Sequence, residues 1–168
     1  IFTLAMIAQS TSVATIVETL AHRDLVIYPS LAFAGVAFTI VSLAENARVP
    51  VDNPATHLEL TMIHEAMILE YSGRHLALIE WAAALKLFAY SCAGLALFFP
   101  WGVAAASDHV ALLFALPVLI GKLAIGGASL ALVETILAKM RIFRAPEFLA
   151  TAFLLGVLAL LVHLLLGA

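Results

Sequence analysis

Four long apolar runs dominate the chain, at Val26–Ala44, Leu76–Phe99, Val110–Glu134 and Phe148–Ala168. Each has about 19 residues or more, enough for a helix rising about 1.5 Å per residue to cross a hydrocarbon core of about 30 Å. Ile1–Ala21 is less continuous. Ile1–Ala8 is apolar, but Gln9-Ser10-Thr11-Ser12 interrupts it and Glu18 follows. The segment reads either as a fifth span or as the end of a span followed by an interfacial helix, and the interruption favours the second. His22-Arg23-Asp24 forms a short polar joint, Tyr28-Pro29 opens one span and Pro100-Trp101-Gly102 closes another. Aromatic residues at such ends suit the membrane–water interface. The pattern predicts an all-α, polytopic transmembrane helical bundle of four to five spans plus a short amphipathic cytoplasmic helix.

Glu45–Glu80 breaks the pattern. It holds Glu45, Arg48, Asp52, His57, Glu59, His64, Glu65, Glu70, Arg74, His75 and Glu80. Pro50 and Pro54 disfavour helix in the residue before each. From Thr56 to Tyr71 the pattern turns helical: Thr56 and Glu59 have the spacing of a capping box. Leu58, Met62, Ala66 and Leu69 share one face of that helix, while Glu59 and Glu70 lie elsewhere on it. Glu70 and Arg74, four apart, are placed to pair on a helix.

Composition strengthens the membrane reading. Of the 168 residues, 64% are hydrophobic and 11% charged, and the mean hydropathy is +1.12. A soluble domain has about 45–50% apolar and about 25% charged residues. The net charge of −3 offers no basic footprint for nucleic acid. Cys92 is the single cysteine, so the chain cannot hold an iron–sulfur cluster or an internal disulfide; it reads as a small hydrophobe. The chain opens at Ile1 inside apolar sequence, without the basic n-region or cleavage site of a signal peptide. It reads as one membrane domain, residues 1–168, a fragment whose N-terminal part is missing.

Charge in the loops sets the expected orientation. Ala138–Glu147 carries Lys139, Arg141 and Arg144, whereas Pro100–His109 has no Lys or Arg. The positive-inside rule makes the first cytoplasmic and the second external. Counting back puts Asn46–His75 on the cytoplasmic side and His22–Asp24 outside, with Arg23 the one basic residue against this order.

An ordinary cytoplasmic loop would explain solvated charges, but these spread into the flanking spans. Lys86 lies about 15 Å past Leu76, and Lys122 about 18 Å past Val110. An ionisable residue near mid-membrane costs at least about 2.5–3.5 kcal/mol on insertion scales, so such residues mark ion or proton pathways by default. Carboxylates among lysines can be poised for proton transfer, because burial raises their pKa and a nearby cation lowers it. The candidates are Glu45, Arg48, Asp52, Glu59, Glu65, Glu70, Glu80, Lys86, Lys122 and Glu134. The competing reading of Glu134 is a headgroup-level acid near Lys139. A metal reading of His57, His64 and His75 is weak: His64-Glu65 is not followed by the second His of H-E-x-x-H. His163 reads as a packing residue. The chain has no phosphate loop, nucleophile elbow or dinucleotide fingerprint.

Ala44-Glu45-Asn46-Ala47-Arg48-Val49-Pro50-Val51-Asp52 resembles the A-E-x-x-R-x-P-x-D loop of membrane subunit 1 of respiratory complex I. That family includes the corresponding membrane subunit of energy-converting [NiFe] hydrogenases. The run Asn53–Glu65 and the segment Lys139–Glu147 resemble the hydrogenase branch, of formate hydrogenlyase type. The complex I branch usually has further carboxylates between the positions of Asp52 and Glu59, where this chain has Ala55 and His57, and its Glu-Tyr pair, here Glu70-Tyr71, comes sooner. Those departures count against quinone binding.

The resemblance covers Val26 to the C-terminus and matches the C-terminal half of such a subunit. It implies a non-redox subunit of a membrane oxidoreductase complex in the inner (cytoplasmic) membrane. Residues 45–75 would be its cytoplasmic coupling loop and helix. Its partners would be the hydrogenase large and small subunits and an iron–sulfur subunit on the cytoplasmic side, with antiporter-like subunits in the bilayer. No cofactor would sit in this chain; the [NiFe] centre and iron–sulfur clusters would lie in the partners. Glu45, Arg48 and Asp52 match the loop motif, Glu59 and Glu70 match acids of the connecting channel, and Lys122 matches a lysine of the penultimate span. Glu65, Glu80, Lys86 and Glu134 rest on the physical argument or on likeness to the hydrogenase branch. The rival readings are a quinone-reducing complex I subunit, a passive anchor without ion coupling, and a stand-alone transporter.

Overall fold

The computed structural model describes residues 2–22, 29–48, 70–104, 109–136 and 145–166. These residues form helices and the segments beside them, with no strand among them. In chain order the helices are α1 (Phe2–Ala8), α2 (Val13–His22), α3 (Pro29–Glu45), α4 (Arg74–Phe98), α5 (His109–Ile136) and α6 (Ala145–Leu166). Helices α4, α5 and α6 are long and apolar enough to cross a membrane, and α3 is a shorter apolar helix of 17 residues. The four apolar runs of the sequence thus become α3 to α6, with ends shifted by a few residues.

The first segment breaks where Gln9–Ser12 interrupts the apolar pattern. Helices α1 and α2 meet there at 59°, and together they are long and apolar enough for one broken span. Gln9 ends α1 in the left-handed region at φ 53. Ser10 N donates to Ala5 O at 3.1 Å and Gln9 N to Met6 O at 3.4 Å, the paired bonds of a Schellman cap. Leu4, Ile7, Ile16 and Leu20 from this pair form a core with Leu97 of α4, and Leu31 and Phe98 pack against it.

Helix α3 packs most extensively on α6. Its buried residues are Ser30, Ala34 and Ala37, and those of α6 are Ala152 and Ala159. Small side chains let two backbones approach closely, which is how helices gain van der Waals contact in lipid without a hydrophobic driving force. On its other side α3 meets α4, which also carries α5. Most large apolar side chains of α5 and α6 face outward, including Leu113, Ile125, Phe153 and Leu165, as expected of surfaces that meet lipid or neighbouring helices.

The amphipathic helix expected over Thr56–Tyr71 falls almost wholly outside the described residues. Glu70 and Tyr71 are exposed and precede α4. Gly73, at φ 57, turns the chain into α4. Glu70 and Arg74 therefore do not share a helix, and the i,i+4 pairing expected of them on one helix face does not arise.

Candidate functional site

Helix α3 ends at the A-E-x-x-R motif. Ala47 adopts φ 49. Its N–H donates to Ala44 O at 3.1 Å, and Arg48 N donates to Leu43 O at 2.9 Å. These are the two bonds of a Schellman cap, built on alanine where glycine is usual. Asn46 Nδ2 adds a bond to Ser42 O at 2.8 Å. The cap fixes Arg48 beside the helix end, and its guanidinium reaches Glu134 of α5 at 3.3 Å.

Glu45 turns the other way, to α4. Lys86 Nζ donates to Glu45 Oε1 at 2.7 Å and to the Glu45 carbonyl oxygen at 2.9 Å. One stretch of four residues, Glu45–Arg48, thus makes two opposite-sign pairs that tie α3 to α4 and α5. The side chains are half-open: Lys86 and Glu45 are 43% and 50% exposed, Arg48 and Glu134 32% and 27%. Neither carboxylate is sealed from water or from a docking partner. The deep lysine of the sequence finds a titratable partner, and Glu134 pairs with Arg48.

Lys122 behaves differently. It is buried, 9% exposed. Its Nζ donates to Phe99 O at 2.6 Å and to Trp101 O, and stands 4.0 Å from the centre of the Trp101 ring. Helix α4 stops at Phe98, so the carbonyls beyond it lack helical partners. A cation at a helix C-terminus satisfies such carbonyls and matches the helix dipole. The chain can turn this tightly because Gly102 takes φ 79, and any Cβ there would meet Val118 Cγ1 at 2.8 Å.

A cavity of about 1010 Å3 opens between α3, α4 and α5. Arg48 lines one end, and Phe99, Pro100 and Trp101 line the other. Gly126, Gly127 and Ser129 form part of the α5 wall, and a Cβ at either glycine would meet nothing within 4 Å. The chamber exists partly because α5 is so bare there. Thr39, Ser42, Tyr90, Ser91 and Ser129 are its hydroxyl-bearing lining residues. On α5, Lys122 and Glu134 are twelve residues apart, about 18 Å along the helix. The Lys122 end and the Glu45 end are therefore separate.

With this geometry in place, a family model described as NADH dehydrogenase matches residues 1–165. The chain belongs to the NADH dehydrogenase family. Formate hydrogenlyase subunit 4 of Escherichia coli (strain K12) is 29% identical over 149 residues, which are 89% of this chain and 48% of that protein. The chain therefore spans about half the length of this curated relative. No solved structure matches. The family is that of the membrane subunit shared by complex I and hydrogenase complexes, whose cofactors lie in other subunits. Among the described residues, no group of three or more His, Cys, Asp or Glu stands close enough to hold a metal ion.

Of the family-motif residues, Glu45 and Arg48 are in the charged layer, with Lys86 and Glu134. Asp52, Glu59 and Glu65 lie outside the described residues. Glu70 is exposed ahead of α4, and Glu80 is exposed on α4, about 9 Å along the helix from Lys86. Sequence reasoning missed the backbone partners of Lys122. The signal was available: Pro100 and Gly102 mark a tight stop, whose carbonyls a buried cation can satisfy.

Proposed function

We propose that this chain belongs to the membrane subunit of a multi-subunit, energy-converting [NiFe] hydrogenase of formate hydrogenlyase kind. It anchors a redox arm and couples electron transfer to movement of protons or sodium ions. The observation that carries this reading is the charged layer: the motif residues Glu45 and Arg48 hold two carboxylate–cation pairs across three helices. The likeness to formate hydrogenlyase subunit 4 supports the hydrogenase branch.

In this reading the Glu45 end faces the cytoplasm of an inner-membrane protein, as the Lys139, Arg141 and Arg144 loop favours. The hydrogenase large and small subunits and an iron–sulfur subunit dock on that face, over residues 45–75. Redox change in the arm alters the hydration or protonation of Glu45. A protonated Glu45 no longer holds Lys86 by charge, so the pair loosens and an ion or proton moves on. Asp52, Glu59, Glu65, Glu70 and Glu80 continue the route from the arm toward antiporter-like subunits, with Arg48 and Glu134 as its charged flank. Lys122 holds the Phe99–Trp101 turn that lines the far end of the chamber.

The test uses the native complex in sealed vesicles, with Glu45 and Glu70 both changed to Gln. Loss of ion transport or of turnover in an assembled complex is the expected result. Wild-type pumping by that variant sinks the proposal. Lower complex yield with an unchanged ion-to-electron ratio instead identifies a passive anchor. The family's NADH dehydrogenase description favours one further reading, a quinone-reducing subunit. Turnover with hydrogen or formate, and none with quinone, decides against it.

A further inference from the structure

Glycine plays two parts in this bundle. Between α3 and α4 each bare position is filled by a ring from the partner helix. A Cβ at Gly94 would stand 3.0 Å from Phe38 Cε1, and one at Gly35 would stand 3.2 Å from Phe98 Cδ1. On α5, Gly126 and Gly127 have no such partner, and a Cβ at either would meet nothing within 4 Å. Among the described residues α5 packs on α4, and neither α3 nor α6 packs on it to a comparable extent. Helices α3 and α5 therefore flank α4 as two walls on a floor, tied to each other at one end by Arg48 and Glu134. The cavity of about 1010 Å3 is the space between those walls, and no described residue of α1, α2 or α6 lines it.

Its length and lining point to one kind of occupant. The lining runs from Leu31 to Leu43 on α3 and from Leu87 to Phe99 on α4, about 18 Å on each at the rise of a helix. One leaflet contributes about half of a hydrocarbon core of about 30 Å, so its acyl tails reach about 15 Å. Arg48 is the only charged residue among the described lining residues, and it stands at one end, just past the C-terminus of α3. Three wall hydroxyls are turned to their own helices. Thr39 Oγ1 donates to Gly35 O at 2.9 Å, Ser91 Oγ to Leu87 O at 2.8 Å and Ser129 Oγ to Gly126 O at 2.7 Å. Their protons are used within the helices, so these three residues offer a ligand no donor.

We propose that this groove binds an anionic phospholipid of the surrounding bilayer, with its phosphate on Arg48 and one acyl tail lying along α4 toward Phe99–Trp101. A guanidinium carries several N–H donors in a planar fork that suits phosphate. Arg48 meets Glu134 through Nη1 at 3.3 Å, longer than the roughly 2.7–2.9 Å of a tight charge-assisted bond. Glu134 thus holds the guanidinium at the end of the groove without occupying the whole fork, and a phosphate can share it. The Glu134 carboxylate opposes a second anion, so the headgroup adds a modest preference. The tail gains close contact with apolar walls, the kind of gain open to groups already in lipid. The site goes beyond the coupling reading, for it operates whether the Glu45 layer moves ions or only docks an arm.

The experiment uses the assembled complex in phosphatidylcholine vesicles with trace phosphatidylglycerol that carries a diazirine at the end of one acyl tail. After irradiation, mass spectrometry locates the label. Label at Phe99–Trp101 is compared with label at Phe153, which faces outward on α6. Label at Phe99–Trp101 is expected, and the ratio should fall about fivefold as unlabelled phosphatidylglycerol replaces phosphatidylcholine, the weight of one surface cation on an anionic lipid. Arg48→Gln should lower the ratio by a similar factor. Gly126→Leu combined with Gly127→Leu, which fills the groove and keeps Arg48, should lower it further. A ratio that does not change with phosphatidylglycerol overturns the proposal, and this comparison needs no variant. Undiminished label in assembled Arg48→Gln overturns it as well. So does a long-tailed isoprenoid quinone that clears the label where phosphatidylglycerol does not, because the groove would then select a neutral lipophile. Absence of label at Phe99–Trp101 overturns it outright.

Discussion

Lys86 and Lys122 are equivalent in the sequence: each is a lone cation near the middle of an apolar run. The structure separates them by the chemistry of their partners. Lys86 meets a carboxylate on a neighbouring helix, at 2.7 Å, in a half-open layer. Lys122 is buried against two peptide carbonyls and a tryptophan ring at the end of α4. A carboxylate can gain or lose a proton and so release its cation. Peptide carbonyls have no such second state. A charge that must respond to a signal needs a partner that can change; a charge that holds a turn needs one that cannot.

The strongest way to break this contrast is to remove the changeable partner. Glu45→Gln takes away the counter-charge and leaves Lys86 only neutral acceptors, the glutamine amide oxygen and the backbone carbonyl of residue 45. An ion without a counter-charge at membrane depth is disfavoured by at least about 2.5 kcal/mol, well over tenfold in occupancy. Ion transport per electron in the native complex should therefore fall by more than tenfold, with the complex still assembled. Lys86→Met should do the same, and the double variant should unfold at a higher temperature than Glu45→Gln alone. Unchanged transport in Glu45→Gln would make the pair as static as the Lys122 turn.

The opposite result is expected at the other lysine. Hydrogen bonds to charged groups contribute about 1.5–3 kcal/mol. Lys122→Met should lower the stability of the purified complex by about that much, seen in thermal unfolding. Lys122→Arg should recover part of the loss. In complex that survives, the ion-to-electron ratio should stay near wild type for both. A collapsed ratio with unchanged stability would put Lys122 among the responsive charges.

A smaller effect is expected at the second ion pair. Arg48 and Glu134 stand at 3.3 Å with about a third of each side chain exposed. Pairs this open contribute about 0–1 kcal/mol. A double-mutant cycle with Arg48→Gln and Glu134→Gln should give a coupling energy in that range, and transport should drop less than with Glu45→Gln. A coupling energy well above about 1 kcal/mol would make Arg48–Glu134 a strong tie in the layer beside Lys86–Glu45.

These contrasts mark what could be read from residues alone. The spans were legible because an apolar run of sufficient length has few other uses, and α3 to α6 appear where the runs lie. The break in the first segment was visible in Gln9-Ser10-Thr11-Ser12, four polar residues in apolar sequence. The depth of the lysines was legible from a helix rise. Their partners were not, because Lys86 meets Glu45 across 41 residues and Lys122 meets Phe99 across 23. Such pairings depend on helix register, which hydrophobicity that is nearly uniform around each helix does not encode. The Gly35–Phe98 and Gly94–Phe38 contacts are of the same kind: each glycine looks like loss of packing until the partner helix is in place.

The smallest predicted effect bears on how the Glu45 layer is held. Ala47 sits at φ 49, where an L-residue costs roughly 1–2 kcal/mol relative to ordinary backbone. Glycine removes that cost but returns about 0.4–1 kcal/mol through the greater freedom of the unfolded chain. Ala47→Gly should therefore stabilise the protein by roughly 0.5–1 kcal/mol, and Ala47→Val should destabilise it by more than that, because β-branching fits the left-handed region poorly. The cap bonds from Ala47 N and Arg48 N are compatible with glycine, so the Arg48–Glu134 pair should persist and transport should be unchanged. Thermal unfolding and ion-to-electron ratio, measured on one preparation, check both halves. A stabilised variant with reduced transport would show that the strain at Ala47 serves the response of the layer, since relief would then have been gained at the expense of function. A variant no more stable than wild type would show that the turn is held by its neighbours firmly enough for the alanine to carry no strain.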